Sequence, residues 1–357
     1  MRLGAAAVVC AALLSCTASP VTTVVVSPSP AESLAADLRT HLDLLLGEHV
    51  MMLAKQSAAA VDHADDYDEY ASLLATTATE LGAVFASAFG NSISSDLIRS
   101  WNMQDGYLVD YGIGVVTHDD AKANAAILAL DSEFVPGFAS QLAAATGLDS
   151  SSIAAMLSAQ AAADKTCIDD YFAHRYAAFY TDLHSAYGAT AQLGDKLAGG
   201  IAQRFRDRFP GDPANVQVDR RVDLNLLLQE HAYYSTMATD AVVGGRAGEA
   251  TAAANALADN TRRLAPLFPT GFAALWSARI GGLLAYGGGD PAATTRLTVD
   301  FVDSFATLAR VDRSGVSSQM LQTLKVVDDQ RNKDSKHIAR DDRAAATAMQ
   351  PIADAAT

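Results

Sequence analysis

Two stretches of the chain, LDLLLGEH at residues 42–49 and LNLLLQEH at residues 224–231, decide the fold. They agree at six of their eight positions. On a helix of 3.6 residues per turn, most of the leucines of each stretch and its final histidine, His49 or His231, fall on one stripe. A stripe of this kind predicts a helix that buries one face in a core. The sequence therefore predicts two helical units, each built around one copy of this helix.

Three further pairs of motifs follow in the same order, which predicts an internal duplication. The pairs are Trp101 and Tyr111 with Trp276 and Tyr286, Phe134-Val135-x2-Phe138-Ala139 with Phe301-Val302-x2-Phe305-Ala306, and Met156-Leu157 with Met320-Leu321. The separation between matched residues falls along the chain, so the second copy has shorter loops. Turn formers and helix breakers at Pro210-Gly211-Asp212-Pro213 predict the boundary between the copies.

The composition also favours helices, because alanine is abundant and no stretch alternates convincingly with the period of a strand. In the first half we predict helices near residues 35–60, 67–89, 94–116, 120–145, 150–172 and 174–207. The predicted fold is all-α, with two tandem antiparallel helical bundles at residues 35–210 and 216–357.

The N-terminus resembles a bacterial lipoprotein signal. An apolar run follows Arg2 and ends in Leu13-Leu14-Ser15-Cys16, with a small residue before the cysteine. The resemblance implies that residues 1–15 are removed and that Cys16 carries palmitate-type acyl chains. The alternatives are a plain secretory peptide cut near Ser19 and an uncleaved anchor, although the apolar run is too short to span a bilayer.

Residues 16–34, rich in Ser, Pro, Thr and Val, predict a flexible linker between the anchor and the helices. The expected location is the extracytoplasmic face of the cell membrane. A formal net charge of −15 argues against a nucleic-acid partner and against electrostatic binding to anionic lipid. The membrane is therefore reached through the lipid anchor. Cys167 is the only cysteine outside the signal and the anchor, and we predict a buried, inert thiol there.

The first group of candidate site residues surrounds the two histidines. A buried imidazole needs a hydrogen-bond partner or a metal. The tryptophan helices present Gln104 and Arg279 at corresponding positions, so these are the predicted partners of His49 and His231. The acidic residues Glu48 and Glu230 lie beside the stripes and complete this group. Neither Gln104 nor Arg279 is a customary metal ligand, which favours a polar core network over a ligand site.

The paired LLxEH helix and the tryptophan–tyrosine helix resemble a family of secreted, helix-rich bacterial proteins. Some members of that family carry copper-amine-oxidase-type stalk domains. The resemblance implies helical-bundle domains and does not imply oxidase chemistry. Related sequences carry histidines where this chain has Gln104, Arg279 and Ala189, so the resemblance does not extend to metal binding.

A second group of candidates occurs only in the first half. Asp170 and His174, four residues apart, could share a helical face and hold a divalent metal. Tyr180 and His184 fall on one stripe that suits an aromatic-lined pocket, and Asp195 lies three turns beyond His184 on the same side. The alternative is a polar seam between helices.

The acidic stretch from Asp62 to Glu69 lacks the spacing of a calcium-binding loop, so a solvated segment is predicted there. The sequence contains no phosphate-binding glycine loop, nucleophile elbow, HExxH or CxxC motif. We therefore expect a membrane-anchored lipoprotein that acts as a non-enzymatic binding or interaction module for a small ligand, a metal ion or an envelope protein. The alternative is a metal- or histidine-dependent enzyme that uses Asp170, His174 and His184. No motif demands a cofactor.

Overall fold

Every regular element in the part of the chain that the computed structural model describes, residues 29–357, is helical, which confirms the all-α prediction. The first half contains α1 (Leu34–Asp62), α2 (Tyr67–Phe89), α3 (Asn91–Val116), α4 (Asp120–Ala129), α5 (Val135–Thr146), α6 (Ser150–Phe172) and α7 (Tyr176–Arg204). The second contains α8 (Val216–Val243), α9 (Ala247–Leu264), α10 (Phe272–Gly287), α11 (Ala292–Thr295), α12 (Val302–Ala309), α13 (Arg313–Asn332), α14 (Ser335–Thr347) and α15 (Gln350–Ala355). The predicted signal, Cys16 and the predicted linker as far as residue 28 lie outside the described residues.

Capping residues fix several of the helix ends. Ser33 and Asn215 accept backbone N–H groups at the starts of α1 and α8. The Asp149 carboxylate accepts the backbone N–H of Ser152 at 2.7 Å and starts α6. Gly147 ends α5 with a φ of +81°, a conformation that glycine adopts without strain.

A π-helical turn interrupts the fourth long helix of each half, at Leu130–Phe134 and Arg296–Phe301. Each turn leads into the Phe-Val-x2-Phe-Ala motif, and a phenylalanine of that motif then meets the tryptophan of the same half. The ring centroids lie 5.8 Å apart for Trp101 and Phe138, and 4.9 Å apart for Trp276 and Phe305. The single helix predicted at 120–145 is therefore two helices joined by this turn.

The two halves share one continuous hydrophobic core. Helices α1 and α8 pack against each other, α7 packs on α9, and α14 packs on α2. In each half, the last long helix (α7 or α14) therefore packs against the second helix of the other half (α9 or α2). The proline-glycine segment predicted as the boundary falls in the connection between α7 and α8.

Buried positions run in parallel along corresponding helices. In α2 and α9, the matching buried positions are Tyr70 with Glu249, Leu74 with Ala253, Ala78 with Leu257, Leu81 with Asn260, and Phe85 with Leu264. In α7 and α14, they are Tyr180 with Ala339, Leu183 with Asp342, and Tyr187 with Ala346, and the pairing continues past α14 with Thr190 and Met349. In α6 and α13, the buried residue that corresponds to Leu157 is Met320. The sequence motif had matched Leu157 with Leu321, which is 56% exposed, so the two alignments differ by one residue. The common origin of the halves stays a prediction.

One helix among the described residues, α2, is long and apolar enough to cross a membrane. It packs against α1, α3 and α14, and its Glu80 pairs with Arg343 at 2.5 Å. These are the contacts of a core helix in this bundle.

Candidate functional site

His231 lies at the centre of a buried polar network in the second half. Its Nε2 accepts from the Arg279 guanidinium at 2.7 Å, because a guanidinium can only donate. The neutral ring then carries its proton on Nδ1, which lies 3.0 Å from Oδ1 of Asn260. Burial and the nearby Arg279 charge hold the pKa of His231 well below its usual value. The predicted pairing of His231 with Arg279 is present in the structure.

His49 holds the corresponding place in the first half but lacks these partners. Neither of its ring nitrogens has a hydrogen-bond partner among the described residues. The side-chain amide of Gln104, its predicted partner, is fully buried and is also without one. The nearest carboxylate oxygen is Oδ1 of Asp105, 3.5 Å from Nε2. Burial lowers the pKa of His49 to about 4, so the ring is neutral at pH 7.

Two carboxyl groups share this unpaired region of the core. Burial raises the pKa of Asp105 to about 8, with a smaller contribution from the Asp164 charge. Burial also raises the pKa of Asp164 to about 7. No three His, Cys, Asp or Glu side chains within residues 29–357 are arranged to hold a metal ion. The groups around His49 are therefore a polar core.

Glu48 and Glu230 each reach the other half of the molecule. Glu48 forms an ion pair with Arg343 of α14, and the same guanidinium binds Glu80 at 2.5 Å. Glu230 contacts His184 of α7, with 2.6 Å between Oε1 and Nδ1. The two glutamates occupy matching positions on α1 and α8, so the two contacts between the halves correspond.

A groove of about 320 Å³ opens beside His184, between α7, α8 and α9. Besides His184, which gives the His184 groove its name, its main lining residues are Tyr180, Tyr234, Ala252, Ala256, Asp259 and Arg263. Tyr180 and His184 belong to the aromatic stripe that the sequence predicted.

Glu230 fixes the orientation and the tautomer of His184. The glutamate is fully buried and also accepts from Nδ2 of Asn260 at 2.8 Å. Because a carboxylate accepts, Nδ1 of His184 donates to it, which leaves Nε2 of the neutral ring as an acceptor. The His184 side chain is 32% exposed, so this acceptor is accessible from the groove.

The hydroxyl groups around the groove differ in their bonding. The Tyr180 side chain is buried, and its hydroxyl has no hydrogen-bond partner in the described part of the chain. Burial raises the pKa of Tyr180 well above its usual value, so the hydroxyl stays protonated. Thr181 and Ser185 donate to backbone carbonyls of their own helix at 2.9 and 3.0 Å. Neither is activated by His184 as a nucleophile.

The predicted pair of Asp170 and His174 does not form. Helix α6 ends at Phe172, and His174 adopts a left-handed φ of 56° in the turn that follows. The two side chains therefore do not share a helical face. Asp170 pairs instead with Arg175 at 2.5 Å, and His174 is exposed. The metal clamp expected from the i,i+4 spacing is absent.

Asp195 belongs to a different contact, at the opposite end of α7. It accepts from Arg39 of α1, and the same guanidinium binds Asp219 at 2.5 Å. His184 and Asp195 share a side of the helix, as predicted, but they lie three turns apart and have separate partners. Asp195 is a structural residue at the junction of α1, α7 and α8.

A second cavity, of about 180 Å³, lies between the halves, and the cationic side chains that line it already have carboxylate partners. Arg246 pairs with Asp240 at 2.5 Å and with Glu249 at 2.6 Å. Lys55 pairs with Asp342 at 2.6 Å. Since its cations are already paired, this cavity offers a ligand less than the His184 groove does.

Sequence reasoning identified the α7 side of the groove and missed the side formed by the second half. Asp259 and Arg263 lie four residues apart on α9, a spacing that places them on one helical face. That spacing was a usable signal, but only the fold shows that this face meets α7. Comparisons with protein-family models, with curated proteins and with solved structures gave no match.

Proposed function

We propose that this protein is a lipid-anchored, extracytoplasmic binding protein that holds a small ligand in the His184 groove. The observation that carries the binding role is an open groove in which buried Glu230 fixes a partly exposed imidazole. A few fixed polar groups on aromatic and alanine walls are typical of small-molecule sites. An envelope protein is the second class of partner.

The sequence Leu13-Leu14-Ser15-Cys16 supports the anchor. Metabolic labelling with an alkynyl palmitate, followed by membrane fractionation, tests it. We expect the wild-type protein to be labelled and membrane-bound, and Cys16→Ser to lose both properties. Equal labelling of the two proteins would contradict the assignment.

Thermal-shift screening of a library of small polar metabolites tests the groove. We expect at least one class of compound to raise the Tm of the wild type, with a smaller effect on His184→Ala. The matched control is His337→Ala, because His337 also contacts a carboxylate (Asp334, 2.7 Å) but lies outside the groove. Equal responses of the two histidine variants would refute the proposal.

The same His184–Glu230 pair supports a second candidate, a histidine-dependent enzyme. In it, Nε2 of His184 would act as a general base toward a water or a ligand group in the groove. Asp170 and His174 take no part, because the structure places them elsewhere. Turnover of groove-binding compounds by the wild type but not by His184→Ala would support this candidate, and equal rates would end it.

A further inference from the structure

We propose that the ligand of the His184 groove carries a guanidinium or primary ammonium group and, a few bonds away, a carboxylate or phosphate, as arginine and lysine do. This inference rests on the proposed binding function and names its ligand class. It follows from the corresponding cleft on the other side of the molecule, where a side chain of the protein itself fills the space.

Arg343 of α14 occupies that other cleft. Its guanidinium lies between Glu48 of α1 and Glu80 of α2, and its Nη1 and Nη2 bind the two oxygens of Glu80 at 3.0 and 2.5 Å. Its Nε pairs with Glu48, which is almost fully buried. Two carboxylates from two helices thus hold one guanidinium.

The His184 groove has carboxylates at the corresponding positions, a glutamate and an aspartate, but a shorter side chain in place of Arg343. In the register of buried positions, His184 corresponds to Arg343, Glu230 to Glu48, and Asp259 to Glu80. The imidazole reaches Glu230 at 2.6 Å, and no contact joins it to Asp259 in the described residues. The groove therefore opens where the guanidinium of Arg343 lies on the other side.

Asp259 is available to a ligand. Its present partner is Arg262 at 2.5 Å, one turn along the same helix, and both side chains are largely exposed. Exposed pairs of this kind contribute little to stability, so a ligand cation can compete for the carboxylate.

The imidazole on the groove wall also suits a cation. In the neutral ring Nε2 of His184 is an acceptor, and an N–H group of a guanidinium or ammonium needs an acceptor. The net charge of −15 favours the approach of positively charged molecules.

Arg263 supplies the site for the ligand's anionic group. It lines the groove on the same helical face as Asp259 and forms no ion pair within residues 29–357. Four residues along a helix rise about 6 Å, so the cationic and anionic ends of the ligand are a few bonds apart. Amino acids with basic side chains have this arrangement of charges.

Isothermal titration calorimetry with the purified full-length protein in detergent tests the ligand class. We expect L-arginine or L-lysine to bind, and L-citrulline, which has the shape of arginine without its side-chain charge, to bind at least about tenfold more weakly. His184→Arg should abolish binding, because the new side chain fills the groove as Arg343 fills the other cleft. Its Tm should be unchanged or raised.

Two more substitutions separate the contributions of the charges. Asp259→Asn should weaken arginine binding about tenfold. The matched control is Asp96→Asn, because Asp96 forms the same kind of exposed pair with Arg99 (3.0 Å) on α3, away from the groove. Arg263→Gln should weaken the binding of arginine but not of agmatine, which has no carboxylate.

Equal affinities for arginine and citrulline, or equal effects of Asp259→Asn and Asp96→Asn, would overturn the ligand class. If compounds of another charge class bind the wild type and fail to bind His184→Arg, the groove is a binding site and the ligand class is wrong. If no compound in the metabolite library binds, the proposed function fails together with this inference.

Discussion

Replacing Asp164 with asparagine should stabilise the protein near neutral pH, and the gain should grow as the pH rises. Asp164 is 2% exposed, and one of its carboxylate oxygens has no hydrogen-bond partner among the described residues. Burial raises its pKa from 3.8 to about 7. Above pH 4 the unfolded chain carries this group as an anion, so folding must either take up a proton or bury the charge.

The sign of the effect follows from the two pKa values. A group whose pKa is raised by folding contributes stability that is fully present below the unfolded pKa and is lost as the pH rises through the folded pKa. The loss is at most about 1.4 kcal/mol per pH unit, so it reaches about 4 kcal/mol between pH 4 and pH 7 as an upper limit. An asparagine side chain does not ionise, so the variant does not lose stability in this way as the pH rises. Asp164→Asn should therefore match the wild type near pH 4 and exceed it by roughly 2–4 kcal/mol at pH 8.

Urea denaturation of both proteins at one-unit steps from pH 4 to pH 8 measures the difference. Asp149→Asn is the control, because hydrogen bonds from Ser151 and Ser152 lower the pKa of this exposed cap. The stability contributed by Asp149 is present above its unfolded pKa of 3.8 and is lost only below it, so across this pH range Asp149→Asn should be less stable than the wild type by a nearly constant amount. A constant difference between Asp164→Asn and the wild type, or a variant less stable at pH 8, would refute the reasoning.

Three further predictions concern a pair of glycines, a buried thiol and an ion pair. Gly114→Ala should destabilise the protein by about 1–3 kcal/mol, because a Cβ there would lie 2.7 Å from a backbone nitrogen of α4. Gly112→Ala, two residues away with open space around it, should stabilise the protein by about 0.5–1 kcal/mol in the same denaturation assay. Burial raises the pKa of the Cys167 thiol, so maleimide labelling mapped by mass spectrometry should reach it only after unfolding; rapid labelling of the native protein would contradict this. Arg343→Met should cost about 3 kcal/mol, since it leaves Glu48 buried without its cation, and an unchanged urea midpoint would show that the ion pair contributes little.

The helices were predictable because periodicity and capping are local properties of the sequence. The predicted ranges 67–89 and 150–172 coincide with α2 and α6. The π-helical turn at Leu130–Phe134 was not predicted, although Pro136 follows it and cannot donate a backbone N–H to the carbonyl of Ser132. The turn at Arg296–Phe301 has no proline at the corresponding place, so its signal lies in tertiary packing, which brings Phe305 to Trp276.

The groove was predictable only in part, for the same reason. One helical stripe placed Tyr180 with His184, and both line the groove. The partner of His184 is Glu230, on a helix of the other half, and the periodicity of a single helix does not show which other helix it meets. The expected role of His174 depended on a helix that continues past Phe172, and the helix ends there.

The corresponding histidines, His49 and His231, differ in their hydrogen bonding. His231 is satisfied by Asn260 and Arg279, while the matching places near His49 hold Leu81 and Gln104, which give its ring no hydrogen bond. The clefts beside Glu48 and Glu230 show the opposite pattern. In the cleft beside Glu48 the guanidinium of Arg343 fills the space, whereas the shorter His184 leaves the groove beside Glu230 open. The unpaired groups around His49 are buried, so their titration with protons changes stability. The imidazole of His184 faces a groove of about 320 Å³, so under the proposed function the difference between the halves at that surface changes binding.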